Sequence, residues 1–146
     1  SEEMLLRDRE VALRESLAIR IRQGSMSDLS AFSDGSFDWI LNPPSLMYVS
    51  DVLPVFRECS RVLKKGGAFI LCVPNPLNYI WEYDEPAERY VICNGLPYRS
   101  FEHENQGDWI EYGHTLESYL GGLTDSGFTI TGFMKNPRKS RWKLIL

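Results

Sequence analysis

Two polar loops and one histidine are the parts of this 146-residue chain whose side chains could do chemistry. The loop Gly24-Ser25-Met26-Ser27-Asp28-Leu29 follows one predicted strand, and Asn42-Pro43-Pro44-Ser45 follows another. Ligands bind at the carboxyl ends of strands in open α/β sheets, so both loops are candidate binding sites. His114 precedes a predicted helix, and an imidazole has a pKa suited to a general base near neutral pH. A single histidine in a loop is more often structural, and we expect that role here.

These residues are positioned by helices that alternate with short apolar strands. Helical spacing of apolar residues predicts helices over 2–17 and 52–63 and from Thr115 onwards. Strands are predicted at 19–23, 37–41, 68–73, 128–134 and 142–146, and residues 74–113 are predicted to form a long loop or small lid. This order indicates an α/β fold with a mainly parallel sheet and an antiparallel hairpin at its C-terminal end.

Composition and charge exclude several classes of function. The net charge of −4 argues against a nucleic-acid-binding protein, which normally carries a basic excess. The three cysteines form no Cys-x-x-Cys pair, so we expect neither a disulfide framework nor a metal site. Membrane spans need about 20 apolar residues, and no run approaches that length. We therefore expect a cytoplasmic protein that does not bind membranes.

The middle of the chain resembles the class I S-adenosylmethionine-dependent methyltransferases. The resemblance rests on Asp34-Gly35-Ser36-Phe37-Asp38, on Asn42 to Val49, and on Glu58-Cys59-Ser60-Arg61-Val62-Leu63-Lys64-Lys65-Gly66-Gly67. Further on, Glu111-Tyr112-Gly113-His114-Thr115-Leu116-Glu117 and the stretch from Gly121 to Phe128 resemble a bacterial, type 11-like branch of small-molecule methyltransferases. The resemblance implies a three-layer Rossmann-like fold, S-adenosylmethionine as the cofactor and transfer of its methyl group to a small-molecule acceptor.

The resemblance also implies which residues contact the cofactor. Ser25, Met26 and Asp28 lie where the family has its adenine-contacting loop, although many members carry Asp in place of Ser25. Asn42 and Pro43 lie where the family's chain passes the sulfonium. No catalytic residue is assigned. Four aromatic residues are candidates for the wall of an acceptor pocket: Tyr48, Tyr98, Trp109 and Tyr112.

Two features of the family are missing. No Gly-rich turn follows a strand, and no acidic residue is present to bind the ribose hydroxyls. In the family, both belong to the first two strands, which lie in the centre of the sheet. We therefore interpret residues 1–146 as one partial methyltransferase domain that lacks these strands. Such a chain is either a fragment of a longer protein or fills the gap by rearrangement or by strand exchange in a homodimer.

Two other functions are left open by the sequence. A chain without cofactor-binding elements could be a non-catalytic module that binds a partner through its exposed sheet edge. The Asn42-Pro43-Pro44 motif also resembles the Asn/Asp-Pro-Pro-aromatic motif of methyltransferases that modify amino groups of nucleic acids. Here the fourth residue is Ser45 and the chain is acidic, which favours a proline-stiffened loop instead.

Overall fold

The computed structural model describes residues 2–93, 101–104, 110–135 and 141–145. The helices are α1 (Glu2–Arg14), α2 (Leu53–Val62) and α3 (Gly122–Asp125), and a π-helical segment, Glu117–Gly121, leads into α3. Two short 3-10 helices span Leu46–Tyr48 and Pro76–Tyr79. The strands are β1 (Phe37–Asn42), β2 (Leu63–Pro74), β3 (Trp81–Asp84), β4 (Arg89–Ile92), β5 (Phe101–Glu104), β6 (Ile110–Gly113), β7 (Gly132–Lys135) and β8 (Arg141–Ile145).

The main sheet has four described strands in the order β1-β2-β8-β7. Strands β1 and β2 are parallel, with Trp39 opposite Ala68 and Leu41 opposite Ile70. Strand β8 is antiparallel to both of its neighbours, β2 and β7. This sheet, with helices between its strands and an antiparallel C-terminal hairpin, confirms the predicted α/β fold class.

The core lies between one face of β2 and the helices α2 and α3. On β2, Phe69 and Leu71 are fully buried, because alternate residues of a strand face the same side. Phe56 of α2 packs edge-on against Phe69, with 6.4 Å between the ring centroids. Leu123 of α3 closes the same cluster. This packing fixes the start of α2, and with it the loops at the carboxyl end of β1.

The two predicted glycines lie within β2, where its pairing with β1 is irregular between Phe37 and Trp39. Gly66 has a φ of +78°, a conformation that favours glycine. At Gly67, an added Cβ would lie 2.9 Å from the carbonyl oxygen of Lys64 and 3.0 Å from that of Asp38, so β1 and this part of β2 approach too closely for a side chain. Strand β2 begins at Leu63, several residues before the predicted start, because Leu63 already pairs with Phe37.

Two predictions near the N-terminus were wrong. Residues 19–23 form no strand, and helix α1 ends at Arg14 instead of residue 17. Ile19 is 53% exposed, and the alternating isoleucine and arginine residues do not pair with any described strand. Because residues 19–23 are not a strand, the described residues contain no strand that a gap would separate from β1. Strand β7 is also shorter than predicted, since residues 128–131 are irregular.

The predicted lid region contains short β-hairpins. Strand β3 pairs with β4, and β5 pairs with β6, in both cases antiparallel. Strand β6 then leads directly to His114 and the third helical segment. Of the four aromatic pocket candidates, Tyr98 and Trp109 lie outside the described residues.

Candidate functional site

The predicted adenine loop lines a cavity of about 400 Å³. Ser25, Met26 and Asp28 all contribute to its wall, together with residues on either side of them. Met26 is half-buried and packs against the core cluster, which fixes the middle of the loop. On the rim, the guanidinium of Arg22 lies 5.6 Å from the ring centroid of Phe32, within range of a cation–π contact. The cavity has the size of a small-ligand pocket.

Asp28 uses its carboxylate inside its own turn. The backbone amide of Ser30 donates to Asp28 Oδ1 over 3.0 Å. Hydrogen bonds from the side chain and the backbone of Ser30 lower the pKa of the Asp28 carboxyl. Asp28 is exposed, and its carboxylate stabilises the turn. Its role in this structure is therefore to shape the loop.

A partly buried ion-pair network fixes this loop to α2. Glu58 and Arg61 form a bidentate pair with two contacts of 2.8 Å. The backbone amide of Leu29 donates to Glu58 over 2.7 Å, while Arg61 donates to the carbonyl oxygens of Leu29 (2.9 Å) and Phe32 (3.0 Å). Arg61 also pairs with Asp34 at 2.7 Å.

The network strongly favours the charged forms of its members. The hydrogen bonds from Arg61 and from the Leu29 amide lower the pKa of Glu58 to about 2. The same contacts with Glu58 and Asp34 raise the pKa of Arg61 further above its usual value. Both residues belong to the recognised Glu58–Gly67 motif, but their role as a clamp on the adenine loop was not predicted. The only signal in the sequence was a pair of opposite charges three positions apart on a helix.

Ser45 satisfies the polar groups of the Asn-Pro-Pro loop. Its hydroxyl lies 3.0 Å from Asn42 Oδ1 and 3.0 Å from the carbonyl oxygen of Pro43. These are the two acceptors that would bind an incoming amino group in the nucleic-acid interpretation. Asn42 and Pro43 do not line the cavity formed by Ser25, Met26 and Asp28, so the structure does not bring all five predicted residues into one pocket.

His114 is a buried structural residue. Only 2% of its surface is exposed, and Nε2 lies 3.1 Å from the carbonyl oxygen of Leu46 and 2.9 Å from that of Val49. Since carbonyl oxygens only accept hydrogen bonds, Nε2 carries the proton and donates it to both. Burial lowers the pKa of the imidazole. These contacts join the end of β6 to the 3-10 turn after β1, and they leave no lone pair of Nε2 to act as a base.

The three cysteines are free thiols, and Cys59 is the buried one. Burial raises the pKa of the Cys59 thiol to about 12, which makes it unreactive near neutral pH. Within the described ranges, no three His, Cys, Asp or Glu side chains are close enough to hold a metal ion. The helices of the described part of the chain are all too short or too polar to cross a membrane.

The sheet order and the loops at the carboxyl end of β1 define a Rossmann-like methyltransferase fold. The same fold is found in an S-adenosylmethionine-dependent methyltransferase from Mesorhizobium loti, which is 20% identical, with a TM-score of 0.78 over 99% of this chain and 76% of that one. It is also found in the 1,6-didemethyltoxoflavin-N1-methyltransferase of Burkholderia thailandensis, with a TM-score of 0.60 and 15% identity. That comparison covers 93% of this chain and 53% of the other, whose structure contains S-adenosylhomocysteine.

Sequence comparison shows similarity to methyltransferases. Residues 1–71 match a family model described as a methyltransferase domain. The chain is 36% identical to the uncharacterized methyltransferase YbaJ of Bacillus subtilis (strain 168), over 93% of this chain and 57% of that protein. The chain is therefore similar to S-adenosylmethionine-dependent methyltransferases in its first 71 residues and in its fold, and these similarities support S-adenosylmethionine as the cofactor. It spans little more than half the length of that relative.

Proposed function

We propose that the complete protein transfers the methyl group of S-adenosylmethionine to a small-molecule acceptor. The observation that carries this proposal is the cavity of about 400 Å³ lined by Ser25, Met26 and Asp28, in a loop fixed to α2 by Glu58 and Arg61. A pre-formed pocket of this size suits one planar base, which is the part of the cofactor that this loop would hold. In that arrangement Met26 contacts the ring face and Ser25 its polar edge.

The protein's contribution to the reaction would be chiefly positioning. S-adenosylmethionine supplies a methyl group that is already activated by the adjacent sulfonium. The chain's own residues therefore need to hold the acceptor in line and to exclude water. We propose that Asn42 and Pro43 form the wall beside the methyl group and that residues 74–113 cover the acceptor. The residues for the ribose and methionine parts of the cofactor would lie outside this sequence.

A small molecule is favoured over a macromolecular acceptor. The chain has a net charge of −4, which disfavours binding to a phosphate backbone. In the Asn-Pro-Pro loop, the Ser45 hydroxyl already donates to Asn42 and Pro43, and Ser45 stands where the nucleic-acid motif has its aromatic residue. The structural relative from Burkholderia thailandensis is a methyltransferase whose structure holds a small molecule, 1,6-didemethyltoxoflavin.

The test is methyl incorporation from labelled S-adenosylmethionine by the complete protein. We expect label in the small-molecule fraction of a cell extract and none in DNA or RNA. Label in nucleic acid that disappears in Asn42→Ala would support the amino-methyltransferase alternative instead. The absence of label in every fraction, with the protein folded, would favour a non-catalytic module that binds a partner through its sheet edge.

A further inference from the structure

A second cleft lies beside the adenine loop, between that loop and the start of α2. Its volume is about 360 Å³, and its wall includes Ser27, Tyr48, Val49, Asp51 and Tyr112. These residues come from the adenine loop, from the segment between β1 and α2, and from strand β6. The cleft thus brings together Tyr48 and Tyr112, two of the four aromatic residues predicted to wall an acceptor pocket.

Both sides of the cleft are held in place by hydrogen bonds. On one side, the carbonyl oxygen of Val49 accepts the 2.9 Å hydrogen bond from His114. On the other, the hydroxyl of Ser27 is 2.7 Å from that of Ser25, in the loop that Glu58 and Arg61 fix to α2. A cleft with fixed walls loses little conformational entropy when a ligand binds.

The two tyrosines present aromatic surface to this space. Tyr48 is 52% exposed, although it belongs to a short 3-10 helix whose other residues, Leu46 and Met47, are buried. Tyr112 is half-buried on β6. An aromatic ring face carries negative electrostatic potential and attracts cations.

Asp51 is the single charged residue among the described residues that line the cleft. One carboxylate oxygen, Oδ1, accepts a 2.9 Å hydrogen bond from the backbone amide of Leu53 at the start of α2. Within the described part of the chain, no Lys, Arg or His forms a salt bridge with this carboxylate. Asp51 is thus a carboxylate without a salt-bridge partner in a cleft that is also lined by two tyrosines. Its negative charge suits the binding of a cation.

We propose that this cleft binds the ammonium group of a cationic small molecule, with Tyr48 and Tyr112 contacting the cation and Asp51 balancing its charge. The binding itself does not depend on any methyl transfer. The identification of this cation as part of the methyl acceptor rests on the proposed function. Since an ammonium nitrogen has no lone pair, the cation would serve for recognition, and the methylated atom would lie elsewhere on the same molecule.

The experiment is an NMR titration of the 146-residue chain with choline. The neutral isostere of choline, in which a carbon atom replaces the nitrogen, is titrated in parallel. We expect choline to shift the resonances of Tyr48, Asp51 and Tyr112 and to bind at least about fivefold more tightly than the isostere. Equal affinity for the two probes, or shifts that map to another part of the chain, would overturn the proposal.

Three substitutions separate the contributions of ring and charge. Asp51→Asn keeps an oxygen that can cap α2 but removes the charge, so it should weaken choline binding without affecting the isostere. Tyr48→Leu should weaken choline binding, whereas Tyr48→Phe keeps the ring and should bind choline nearly as well as the wild type. Trp39→Leu, at a 67% exposed position on β1 outside the cleft, is the control and should leave the affinity for choline unchanged.

The outcomes distinguish this inference from the proposed function. Choline selectivity that is lost in Asp51→Asn supports the cation site, even if the complete protein transfers no methyl group. Unchanged choline affinity in both Asp51→Asn and Tyr48→Leu contradicts the cation site, even if methyl transfer is observed. The amide spectrum of each variant establishes that it is folded. If Tyr48→Leu is not folded, Tyr112→Leu tests the contribution of an aromatic ring in its place.

Discussion

Arg61 and Glu58 face each other through two parallel hydrogen bonds of 2.8 Å, and both also bind the backbone of Leu29. A guanidinium matches a carboxylate in this bidentate way, whereas an ammonium group does not. The pair therefore connects helix α2 to the loop that carries the candidate adenine site. Its importance for the loop follows from the hydrogen bonds that Arg61 donates to the carbonyl oxygens of Leu29 and Phe32.

The first prediction concerns Arg61→Lys. Lysine keeps the charge but cannot make the paired contact or reach both carbonyl oxygens, so we expect a loss of about 1–3 kcal/mol in the free energy of unfolding. Amide hydrogen exchange should accelerate in residues 28–34, next to the clamp. Arg57→Lys, at an exposed position on the same helix, is the control. Equal exchange rates in the two variants would show that Arg61 does not hold the loop.

The second prediction is an acid-induced loss of stability from Glu58. Its pKa is about 2 in the folded protein and 4.5 in the unfolded reference. A lowered folded-state pKa means that the unfolded chain binds the proton first, so this stability is present above about pH 4.5 and is lost as the pH falls towards 2. Chemical denaturation across this range should show a smaller decrease for Glu58→Gln than for the wild type. Parallel curves for the two proteins would contradict this.

The sequence predicted those parts of the fold in which periodicity and turn chemistry agree. Helix α2 and strand β2 follow from buried apolar residues such as Phe56 and Phe69, and Gly66, with its positive φ, lies in the irregular first part of β2. The strand predicted at 19–23 failed because alternation indicates only that a segment could pair. It does not supply the neighbouring strand whose backbone groups complete the ladder.

The candidate site was predicted only where it is local in sequence. The loop with Ser25 and Met26 was found from its position in the family's pattern, and both residues do line one cavity. The clamp was not found, since Arg61 and Leu29 are 32 positions apart and a single sequence does not reveal such a pairing. The assembly of Tyr48 and Tyr112 around one cleft depends likewise on tertiary packing.

The third prediction concerns the protonation of His114. Because burial lowers its pKa, stability from the neutral imidazole is present above the unfolded pKa of about 6.5 and is lost as the pH falls through the folded-state value. The nearby Asp51 carboxylate opposes this shift. NMR should find the proton on Nε2 at pH 7 and a ring that stays neutral below pH 6.5. A ring that titrates with the ordinary pKa of an imidazole, or a proton on Nδ1, would contradict the structural role.

The fourth prediction concerns the edge of the main sheet. Strand β1 pairs with β2 on one side, and its residues Trp39 and Leu41 are 67% and 71% exposed. An exposed strand edge with large apolar side chains promotes association between chains. We expect the 146-residue chain to dimerise with increasing concentration, and Trp39→Lys to reduce this in light-scattering measurements. Trp81→Lys, on hairpin strand β3, is the control. Monomers at all concentrations would exclude the homodimer.

The last prediction is that the 146-residue chain binds S-adenosylmethionine no more tightly than about millimolar. The adenine loop with Ser25 and Met26 supplies only part of the contacts that such a cofactor needs. Its ribose hydroxyls and methionine carboxylate require charged or backbone partners, because desolvated polar groups without partners oppose binding. Calorimetric titration measures the affinity directly, with adenosine as a comparison that contains the base and ribose alone. Similar weak affinities for the two ligands are expected, since the methionine part would find no partners. Micromolar affinity for S-adenosylmethionine would mean that the described residues bind the whole cofactor.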